Sequence, residues 1–486
     1  MSTPTIARFS ANDGTELALY IYRPGHGRPA PVALSMTPYT ATPDADSFIP
    51  ALLSAGYVFV AMDVRGTGCS GGEFLGPLSP REIDDAVEVI DWLAEQEFCD
   101  GQVALVGPSY LGANQFLVAA RQPQALRCIA PAVAPIDFYR DWTHRGGIPS
   151  HQNWAADTFL ARPNQPSRSQ GPALAFYNAA MLAVEDGPLF RERSPEEFIH
   201  DIRVPVFLIG GLHDFFRGAT LRAFESVRTP KKLLMGPWGH GASAPQELIA
   251  WLDHWTGRAQ LTGVSDSQMR WWILGREEWI DYDPDETSEV VSAPLPEEIV
   301  VCNGDPLIQP PASPTTDEDL AGGSGLHLWA ERQRVVIDTP GHGVVRGCPV
   351  AELSLRVDGW ADADLYIRLS VAEKDSPTRQ LTEGRLRLSQ RAIDTERSIF
   401  DERGRLKRVV LTHKDPSPVP FHTDFKVAIE LLPTCFELAE GSQLVVGFDS
   451  TPVGGLMPNE GELRILPGSS VHLPFAVTLH SDAIKS

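Results

Sequence analysis

Apolar and polar residues alternate in two rhythms along the first half of the chain. Short apolar runs at residues 102–106, 205–209 and 232–235 have the length of buried strands. Residues 80–96 instead carry Ile, Val and Leu at the spacing of one helix face, and residues 111–121 give a helical pattern directly after a strand. Strands that alternate with helices predict a parallel sheet covered by helices, which is an α/β fold.

This alternation is interrupted between two predicted strands, at residues 128–133 and 205–209. The intervening residues are rich in Trp, His, Pro, Asn and Gln and contain two helix-like pieces. An insertion at this place would lie over the carboxyl edge of the sheet, where connecting segments often carry function. We therefore predict an α/β domain built from residues 1–137 and 201–258, with a helical cap inserted at residues 138–200.

Beyond residue 257 the chain consists of short strand-like segments separated by Pro, Gly and Asp turns, with almost no helical pattern. Such a series predicts a β-sandwich or jelly roll for residues 259–486. The predicted strands lie at residues 269–274, 298–302, 325–329, 334–337, 352–357, 365–372, 409–412, 425–432, 443–448 and 470–479.

The strongest chemical signal is the motif at residues 107–112, which reads GPSYLG. Because it joins the predicted strand 102–106 to the predicted helix 111–121, Ser109 would occupy a tight strand-to-helix turn. A turn of this kind holds a serine in a strained conformation with its hydroxyl exposed, and glycines on either side avoid collisions there. Ser109 is therefore the candidate nucleophile.

A serine hydroxyl is a weak nucleophile at neutral pH. It needs an imidazole to accept its proton and a carboxylate to orient that imidazole. Asp214 follows the predicted strand 205–209, and His240 follows the predicted strand 232–235. Both side chains would emerge at the same carboxyl edge of the sheet as Ser109, which predicts a Ser109–Asp214–His240 triad.

An acyl-transfer site also needs two hydrogen-bond donors for the negative charge that develops on the carbonyl oxygen. The N–H of Tyr110, directly after the nucleophile, is the expected first donor. Tyr39 follows the predicted strand 31–36, and its hydroxyl is a candidate for the second donor. The alternative for Tyr39 is an aromatic ring packed beneath the cap.

Composition limits the classes of partner that the protein can bind and indicates the cell compartment in which it is expected. With 41 Lys and Arg against 63 Asp and Glu, the net charge is −22, which argues against nucleic acid or an anionic membrane as a partner. The N-terminus lacks the features of a signal peptide and no apolar run reaches the length of a membrane span, so a cytoplasmic protein is expected. The six cysteines are scattered, which predicts reduced thiols and no metal site.

These motifs together resemble those of the cocaine esterase family of serine hydrolases. The resemblance rests on Pro38-Tyr39, on the DVRGTGCSGG segment at residues 63–72, on the motif at residues 107–112, on Asp214 and on the GPWGH segment at residues 236–240. It covers nearly the whole chain and extends to X-Pro dipeptidyl peptidases, α-amino-acid ester hydrolases and glutaryl acylases. It implies an α/β-hydrolase fold with an inserted helical cap and a C-terminal jelly-roll β-sandwich domain.

The resemblance also implies a role for each candidate residue. Ser109 would be the nucleophile, His240 the base and Asp214 the acid, while the Tyr39 hydroxyl and the Tyr110 N–H would form the oxyanion hole. Neither a metal nor an organic cofactor is needed. The chain is short for the family, and its cap shows no clear carboxylate cluster that would capture a substrate ammonium group. The substrate of any one relative is therefore not carried over.

Several aromatic and imidazole side chains are candidates for the substrate pocket, although they could equally form the core of the cap. His213 adjoins the acid and is interpreted as a pocket-wall or structural residue rather than the base. The candidate substrate-binding residues are Trp142, His144, His151 and Trp154 in the cap, and Trp238 beside the base.

The expected reaction is hydrolysis of a small-molecule carboxylic ester. Amide hydrolysis, of the kind carried out by X-Pro dipeptidyl peptidases or acylases, and acyl transfer to an acceptor other than water would use the same residues. A binding protein with a vestigial triad is the non-enzymatic alternative, and a homodimer is one assembly left open. Every candidate catalytic position holds a competent residue, which favours an enzyme.

Overall fold

The computed structural model describes residues 3–25, 27–39, 48–150, 170–259, 269–282, 289–302, 333–373, 378–453 and 461–476. Its α-helices are α1 (Phe48–Ser54), α2 (Pro80–Ala94), α3 (Tyr110–Ala120), α4 (Gln170–Leu182), α5 (Pro188–Arg191), α6 (Pro195–Phe198), α7 (Arg217–Ser226) and α8 (Pro245–Trp255). The strands of its first part are β1 (Thr5–Ser10), β2 (Glu16–Tyr22), β3 (Ala30–Thr37), β4 (Val58–Asp63), β5 (Cys99–Pro108), β6 (Leu126–Ala132), β7 (His144–Arg145), β8 (Ile148–Pro149), β9 (Val206–Gly211), β10 (Lys231–Gly236), β11 (Met269–Ile273) and β12 (Glu278–Tyr282).

Ten of these strands form one sheet, in the order β1-β2-β4-β3-β5-β6-β9-β10-β11-β12. Strands β4 to β11 of this order run parallel to one another, whereas β1, β2 and β12 are antiparallel additions at the two edges. The α/β fold expected from the alternating pattern is therefore confirmed. In such a sheet the loops at the carboxyl ends of neighbouring parallel strands lie together.

The central strands are buried on both faces, because helices cover the sheet from both sides. Every residue of β3 and β4 is buried, which explains why these segments read as continuous apolar runs. Helix α2 begins at Pro80, and the side chain of Ser79 caps it by accepting the N–H of Glu82 at 3.3 Å.

The segment between β6 and β9 leaves the sheet and contains the elements of the predicted cap. It begins with a π-helix at Phe138–Thr143, continues into the short hairpin of β7 and β8, and includes α4, α5 and α6. The Asp137 side chain caps the π-helix by accepting the N–H of Arg140 at 2.7 Å. Residues 151–169, which include the predicted pocket residues His151 and Trp154, lie outside the described residues.

The second part of the chain is rich in β-strands, which form an eight-stranded sheet and a four-stranded sheet. Their buried faces contribute to one apolar cluster, as in a β-sandwich. The strands are β13 (Glu289–Pro294), β14 (Ile299–Cys302), β15 (Gln333–Ile337), β16 (Gly343–Gly347), β17 (Val350–Asp358), β18 (Asp362–Ala372), β19 (Arg379–Arg387), β20 (Ile399–Phe400), β21 (Leu406–Arg408), β22 (Phe425–Glu430), β23 (Thr434–Leu438), β24 (Gln443–Val453), β25 (Glu462–Ile465) and β26 (Ser470–Ala476).

Two strand predictions need correction. The segment at residues 269–274 was expected in the second domain, but β11 pairs in parallel with β10 and extends the large sheet, because backbone pairing with a distant strand leaves no mark in a local pattern. Residues 409–412 do not form a continuous strand. Strand β21 ends at Arg408, and only an isolated bridge between Leu411 and Ile393 follows. The predicted strand at residues 325–329 lies outside the described residues.

The two parts of the chain are joined through backbone hydrogen bonds at the end of β11. The Leu274 N–H donates to the Cys435 carbonyl at 3.0 Å, and the Glu437 N–H donates to the Leu274 carbonyl at 3.0 Å. These bonds form a parallel bridge between Leu274 and Phe436. A strand of the second part is thus attached at the carboxyl end of β11, whose other residues pair with β10 and β12.

Candidate active site

Ser109 occupies the turn between β5 and α3 in a conformation that side chains seldom adopt, with φ 58° and ψ −122°. Its own N–H donates to the Ala132 carbonyl at 2.8 Å, which holds the turn against the neighbouring strand β6. Gly112 allows the close approach, because a Cβ there would lie 2.7 Å from the Ala134 Cβ. The geometry is that of a serine presented on a strained strand-to-helix turn.

The structure brings Ser109, His240 and Asp214 into one chain of hydrogen-bond contacts. The Ser109 Oγ lies 2.9 Å from the His240 Nε2, and the His240 Nδ1 lies 2.7 Å from the Asp214 Oδ1. The arrangement suits a ring that carries its proton on Nδ1, so that Nε2 is the acceptor for the serine hydroxyl.

Asp214 is fully buried and held by a hydrogen bond, whereas the His240 side chain is partly exposed to solvent. Asp214 has no exposed surface, and its second oxygen accepts the N–H of Phe216 at 2.7 Å. The His240 side chain keeps 20% of its surface exposed, which leaves a route from solvent to the imidazole. The loops that carry the two residues are tied together, since the His213 N–H donates to the Trp238 carbonyl at 2.9 Å.

Two phenylalanines after Asp214 enclose the imidazole. The Phe215 ring stacks on His240 with a centroid distance of 4.4 Å and an interplanar angle of 21°, and Phe216 meets the same ring at 5.6 Å. The Trp142 ring lies 6.5 Å from Phe216 and 6.0 Å from Tyr110. Trp142 therefore lies close to the site and also packs on Phe138 at 4.9 Å, and its role in substrate binding stays a prediction.

Tyr110 and Tyr39 lie side by side next to the nucleophile. Tyr110 is the first residue of α3, and the first N–H groups of a helix have no carbonyl partner within that helix. The Tyr39 ring meets the Tyr110 ring at 6.0 Å, and the Tyr39 N–H donates to the Thr37 Oγ1 at 3.0 Å.

The Tyr110 side chain reveals a partner that the sequence analysis missed. Its hydroxyl donates to the Glu82 Oε2 at 2.7 Å and accepts the N–H of Leu78 at 3.2 Å. Burial raises the pKa of Glu82 to about 8, against the opposing effects of the Tyr110 hydrogen bond and the Arg193 charge. At neutral pH Glu82 is thus protonated, and its carboxyl group contacts the hydroxyl of Tyr110, the residue that follows the nucleophile.

The remaining predicted pocket residues have other surroundings. His144 is buried with 1% exposure, and its ring stacks on Tyr139 at 4.4 Å. Burial and the Arg387 charge lower the pKa of His144 to about 4. The expectation that His144 lines the pocket is therefore corrected, since this ring belongs to the core of the cap. Trp238 lies two residues before the base and packs against Trp279 at 5.7 Å.

The cap contains a carboxylate cluster that the sequence analysis did not find. Four acidic residues, from two segments about 50 residues apart in sequence, come together around arginines. Each carboxylate of this cluster forms an ion pair, because an arginine nitrogen lies within 4.0 Å of it. The ion pairs are Asp137–Arg140 at 3.0 Å, Asp141–Arg222 at 2.5 Å, Asp186–Arg140 at 3.7 Å and Glu196–Arg397 at 2.5 Å.

The described residues bear on two further properties, metal binding and membrane crossing. These residues bring together no group of three or more His, Cys, Asp or Glu side chains that could hold a metal ion. Within the same part of the chain, no helix combines the length and the apolar character that a bilayer crossing requires.

Two family models match the chain. The model of the X-Pro dipeptidyl-peptidase (S15 family) matches residues 13–242, a range that includes Ser109, Asp214 and His240. The model of the X-Pro dipeptidyl-peptidase C-terminal non-catalytic domain matches residues 341–468, within the β-rich second part.

Known proteins support the same relationship. Cocaine esterase from Rhodococcus sp. (strain MB1 Bresler) is 30% identical over 275 residues, which are 47% of this chain and 47% of that protein. The match thus spans about half the length of this curated relative. The resemblance to cocaine esterases is confirmed.

Solved structures agree on the fold. A CocE/NonD family hydrolase from Staphylococcus aureus has a TM-score of 0.76 at 18% identity, covering 98% of this chain and 93% of that one. An α-amino acid ester hydrolase has a TM-score of 0.77 at 16% identity, covering 97% and 96%. The expected α/β-hydrolase core with a β-rich C-terminal domain is confirmed.

Proposed function

We propose that the chain is a serine hydrolase that cleaves a small-molecule carboxylic ester through an acyl-enzyme on Ser109. The matches to the S15 family model and to the X-Pro dipeptidyl-peptidase C-terminal domain model support this proposal. The observation that carries this proposal is the contact chain from Asp214 through His240 to Ser109, at 2.7 Å and 2.9 Å. Nucleophile, base and orienting acid are within hydrogen-bond reach of one another, as this chemistry requires.

In the first half of the reaction, His240 accepts the Ser109 proton as the serine oxygen attacks the substrate carbonyl. The imidazolium that forms is stabilised by Asp214, whose carboxylate is held by the Phe216 N–H and is shielded from water. The stacked Phe215 ring limits rotation of the imidazole, so that Nε2 stays directed at the serine.

The tetrahedral oxyanion is held by the Tyr110 N–H and the Tyr39 hydroxyl. The Tyr110 donor is positioned by the start of α3 and by the anchoring of its ring to Glu82 and Leu78. Fixed donors of this kind stabilise the transition state because they need no reorganisation when the charge develops.

His240 then protonates the leaving alcohol, and the ester bond breaks to leave an acyl group on Ser109. In the second half a water molecule attacks the acyl-enzyme while His240 accepts its proton, and the acid is released with the serine regenerated. No group other than these side chains and water is needed to balance the two steps.

The family model bears the name of a dipeptidyl peptidase, but the cap favours ester cleavage over that reaction. A dipeptidyl peptidase recognises the ammonium group at the N-terminus of its substrate, which calls for carboxylates with spare charge. The four carboxylates of the described cap cluster are already paired with arginines. Amide cleavage remains the second candidate because the S15 model matches the catalytic region.

The test combines fluorophosphonate labelling with turnover of p-nitrophenyl acetate and p-nitrophenyl butyrate. The wild type should be labelled at Ser109 and should turn over both esters, whereas Ser109→Ala and His240→Ala should lose turnover by several orders of magnitude. Ser54→Ala and His200→Ala are matched controls, since both residues are exposed and distant in sequence from the site, and should behave as wild type.

Each deviation has a definite meaning. Labelling with release of only one equivalent of nitrophenol would identify an acyltransferase that lacks its acceptor. The absence of labelling would refute the hydrolase proposal and would leave a binding protein on a hydrolase fold.

A further inference from the structure

Arg145 is a cation near the site that has no counter-ion of its own among the described residues. It ends β7, in the hairpin of the cap, and is half-buried. Its Nε donates to the Asp141 carbonyl at 2.8 Å. In the described part of the chain, no carboxylate lies within ion-pair distance of the guanidinium, and neither terminal nitrogen has a hydrogen-bond acceptor. Removing a guanidinium from water costs free energy unless a counter-ion pairs with it, and Arg145 has no such counter-ion among the described residues.

The guanidinium faces the aromatic wall of the active site. Its carbon atom lies 4.9 Å from the centroid of the Phe215 ring and 5.5 Å from that of Phe216. Phe215 is also the ring that stacks on His240 at 4.4 Å. The charge of Arg145 is therefore one aromatic ring away from the candidate base.

The surrounding carboxylates are already engaged. Burial, and next the charge of Arg385, lower the pKa of Arg145 to about 10, while Asp141, Asp214 and Glu383 oppose that shift. Each of these three acids has a nearer partner. Their partners are Arg222 for Asp141 at 2.5 Å, His240 for Asp214 at 2.7 Å and Arg385 for Glu383 at 3.0 Å.

The hairpin that carries Arg145 is held in place by the second part of the chain. The Arg387 N–H donates to the Gly146 carbonyl at 2.8 Å. A Cβ on Gly146 would lie 2.1 Å from the Arg385 carbonyl oxygen, and one on Gly147 would lie 2.5 Å from the Gln390 side chain. The cation is thus fixed before any ligand binds, which reduces the entropic cost of binding.

We propose that Arg145 binds a carboxylate of the substrate, so that the enzyme prefers esters or amides of which the acyl or alcohol part carries a negative charge. A planar guanidinium matches a carboxylate with two parallel hydrogen bonds, and no acceptor among the described residues occupies its terminal nitrogens. This inference rests on the proposed function, because it names the substrate class of that same site.

The test compares charged and uncharged members of two substrate pairs. The first pair is p-nitrophenyl hydrogen glutarate and its methyl ester, which place the charge on the acyl part. The second pair is 4-acetoxybenzoate and its methyl ester, which place it on the alcohol part. The wild type should favour the charged member of at least one pair in kcat/KM by about 10- to 100-fold.

Arg145→Met should abolish this preference while the uncharged esters keep their kcat/KM within a few-fold, because methionine retains most of the apolar stem. Arg145→Lys should retain part of the preference. If the wild type treats both pairs alike, or if Arg145→Met lowers charged and uncharged substrates equally, the guanidinium only supports the cap and the inference is wrong.

A binding measurement separates this inference from the proposed function. Ser109→Ala and Ser109→Ala/Arg145→Met are titrated calorimetrically with glutaric acid monoanilide, N-acetyl-4-aminobenzoate and their methyl esters. Binding that requires both the carboxylate and Arg145 supports the inference even where turnover is absent. Failure of fluorophosphonate labelling overturns the proposed function alone, whereas normal labelling with charge-independent binding overturns this inference alone.

Discussion

Replacement of the buried Glu82 by glutamine tests the electrostatics behind the nucleophile. Burial raises the pKa of this carboxyl group to about 8 from an ordinary value of 4.5, because its charged form would be desolvated. The amide oxygen that the substitution introduces can still accept the Tyr110 hydroxyl, but the side chain can no longer ionise. Glu82→Gln therefore changes the pH dependence of stability while it preserves the hydrogen bond.

The sign follows from proton linkage. Between pH 4.5 and pH 8 the folded protein holds a proton on Glu82 that the unfolded chain has lost, so this group stabilises the fold in full below pH 4.5 and ceases to do so above pH 8. The difference between these two pKa values of Glu82 corresponds to a change in the free energy of unfolding of at most about 5 kcal/mol. Relative to wild type, Glu82→Gln should gain stability as the pH rises, by up to roughly 5 °C in the unfolding midpoint at pH 9, because the unfolding entropy of a chain of 486 residues is about 1 kcal/mol per kelvin.

The assay is thermal unfolding of wild type and Glu82→Gln at a fixed scan rate, from pH 5.5 to pH 9, since unfolding of a chain of this size need not be reversible. Asp84→Asn is the matched control, because it lies on the same helix with its side chain 49% exposed. Ester turnover of Glu82→Gln at pH 7 should stay within a few-fold of wild type. Parallel midpoints for Glu82→Gln and wild type over the whole pH range would refute the reasoning.

Two further predictions concern the oxyanion hole and the domain junction. Tyr39→Phe should lower kcat for p-nitrophenyl acetate by about 10²–10³-fold with little change in KM, because a transition-state donor is lost; an unchanged kcat would exclude Tyr39 as that donor. A chain that ends at Gly257 should aggregate, because it lacks β11 and leaves the backbone of β10 unpaired on that side. A chain that ends at Tyr282 keeps β11 and β12 and should be more soluble. Size-exclusion chromatography compares them, and a soluble, active chain ending at Gly257 would contradict this account.

The sequence was informative where local pattern and chain order decide the structure. Ser109 could be identified because its turn joins a strand to a helix, and Asp214 and His240 because each follows a strand of the same parallel sheet. In such a sheet the ends of neighbouring strands meet at one edge, so three residues far apart in sequence become neighbours without any detailed knowledge of packing.

Side-chain partners across elements could not be predicted in this way. Glu82 stands three residues after Ser79, the spacing of a capping box, so its sequence context is that of an exposed helix end rather than a partner of Tyr110. His144 and Arg145 are adjacent in the cap, yet one is sealed in a core and the other faces the aromatic wall of the site. Strand β7 has only two residues, which is too short for an alternating pattern in the sequence to show which side chain is buried.

The bridge between Leu274 and Phe436 also has a consequence for synthesis on the ribosome. The large sheet cannot be completed until residue 282 has left the exit tunnel, although the S15 model match ends at residue 242. At about 5–20 residues per second, Phe436, which bridges to Leu274 at the end of β11, follows roughly 8–30 s later. During that interval the backbone N–H and carbonyl of Leu274 lack the partners that Cys435 and Glu437 supply in the folded protein, and they are open to pairing with another chain.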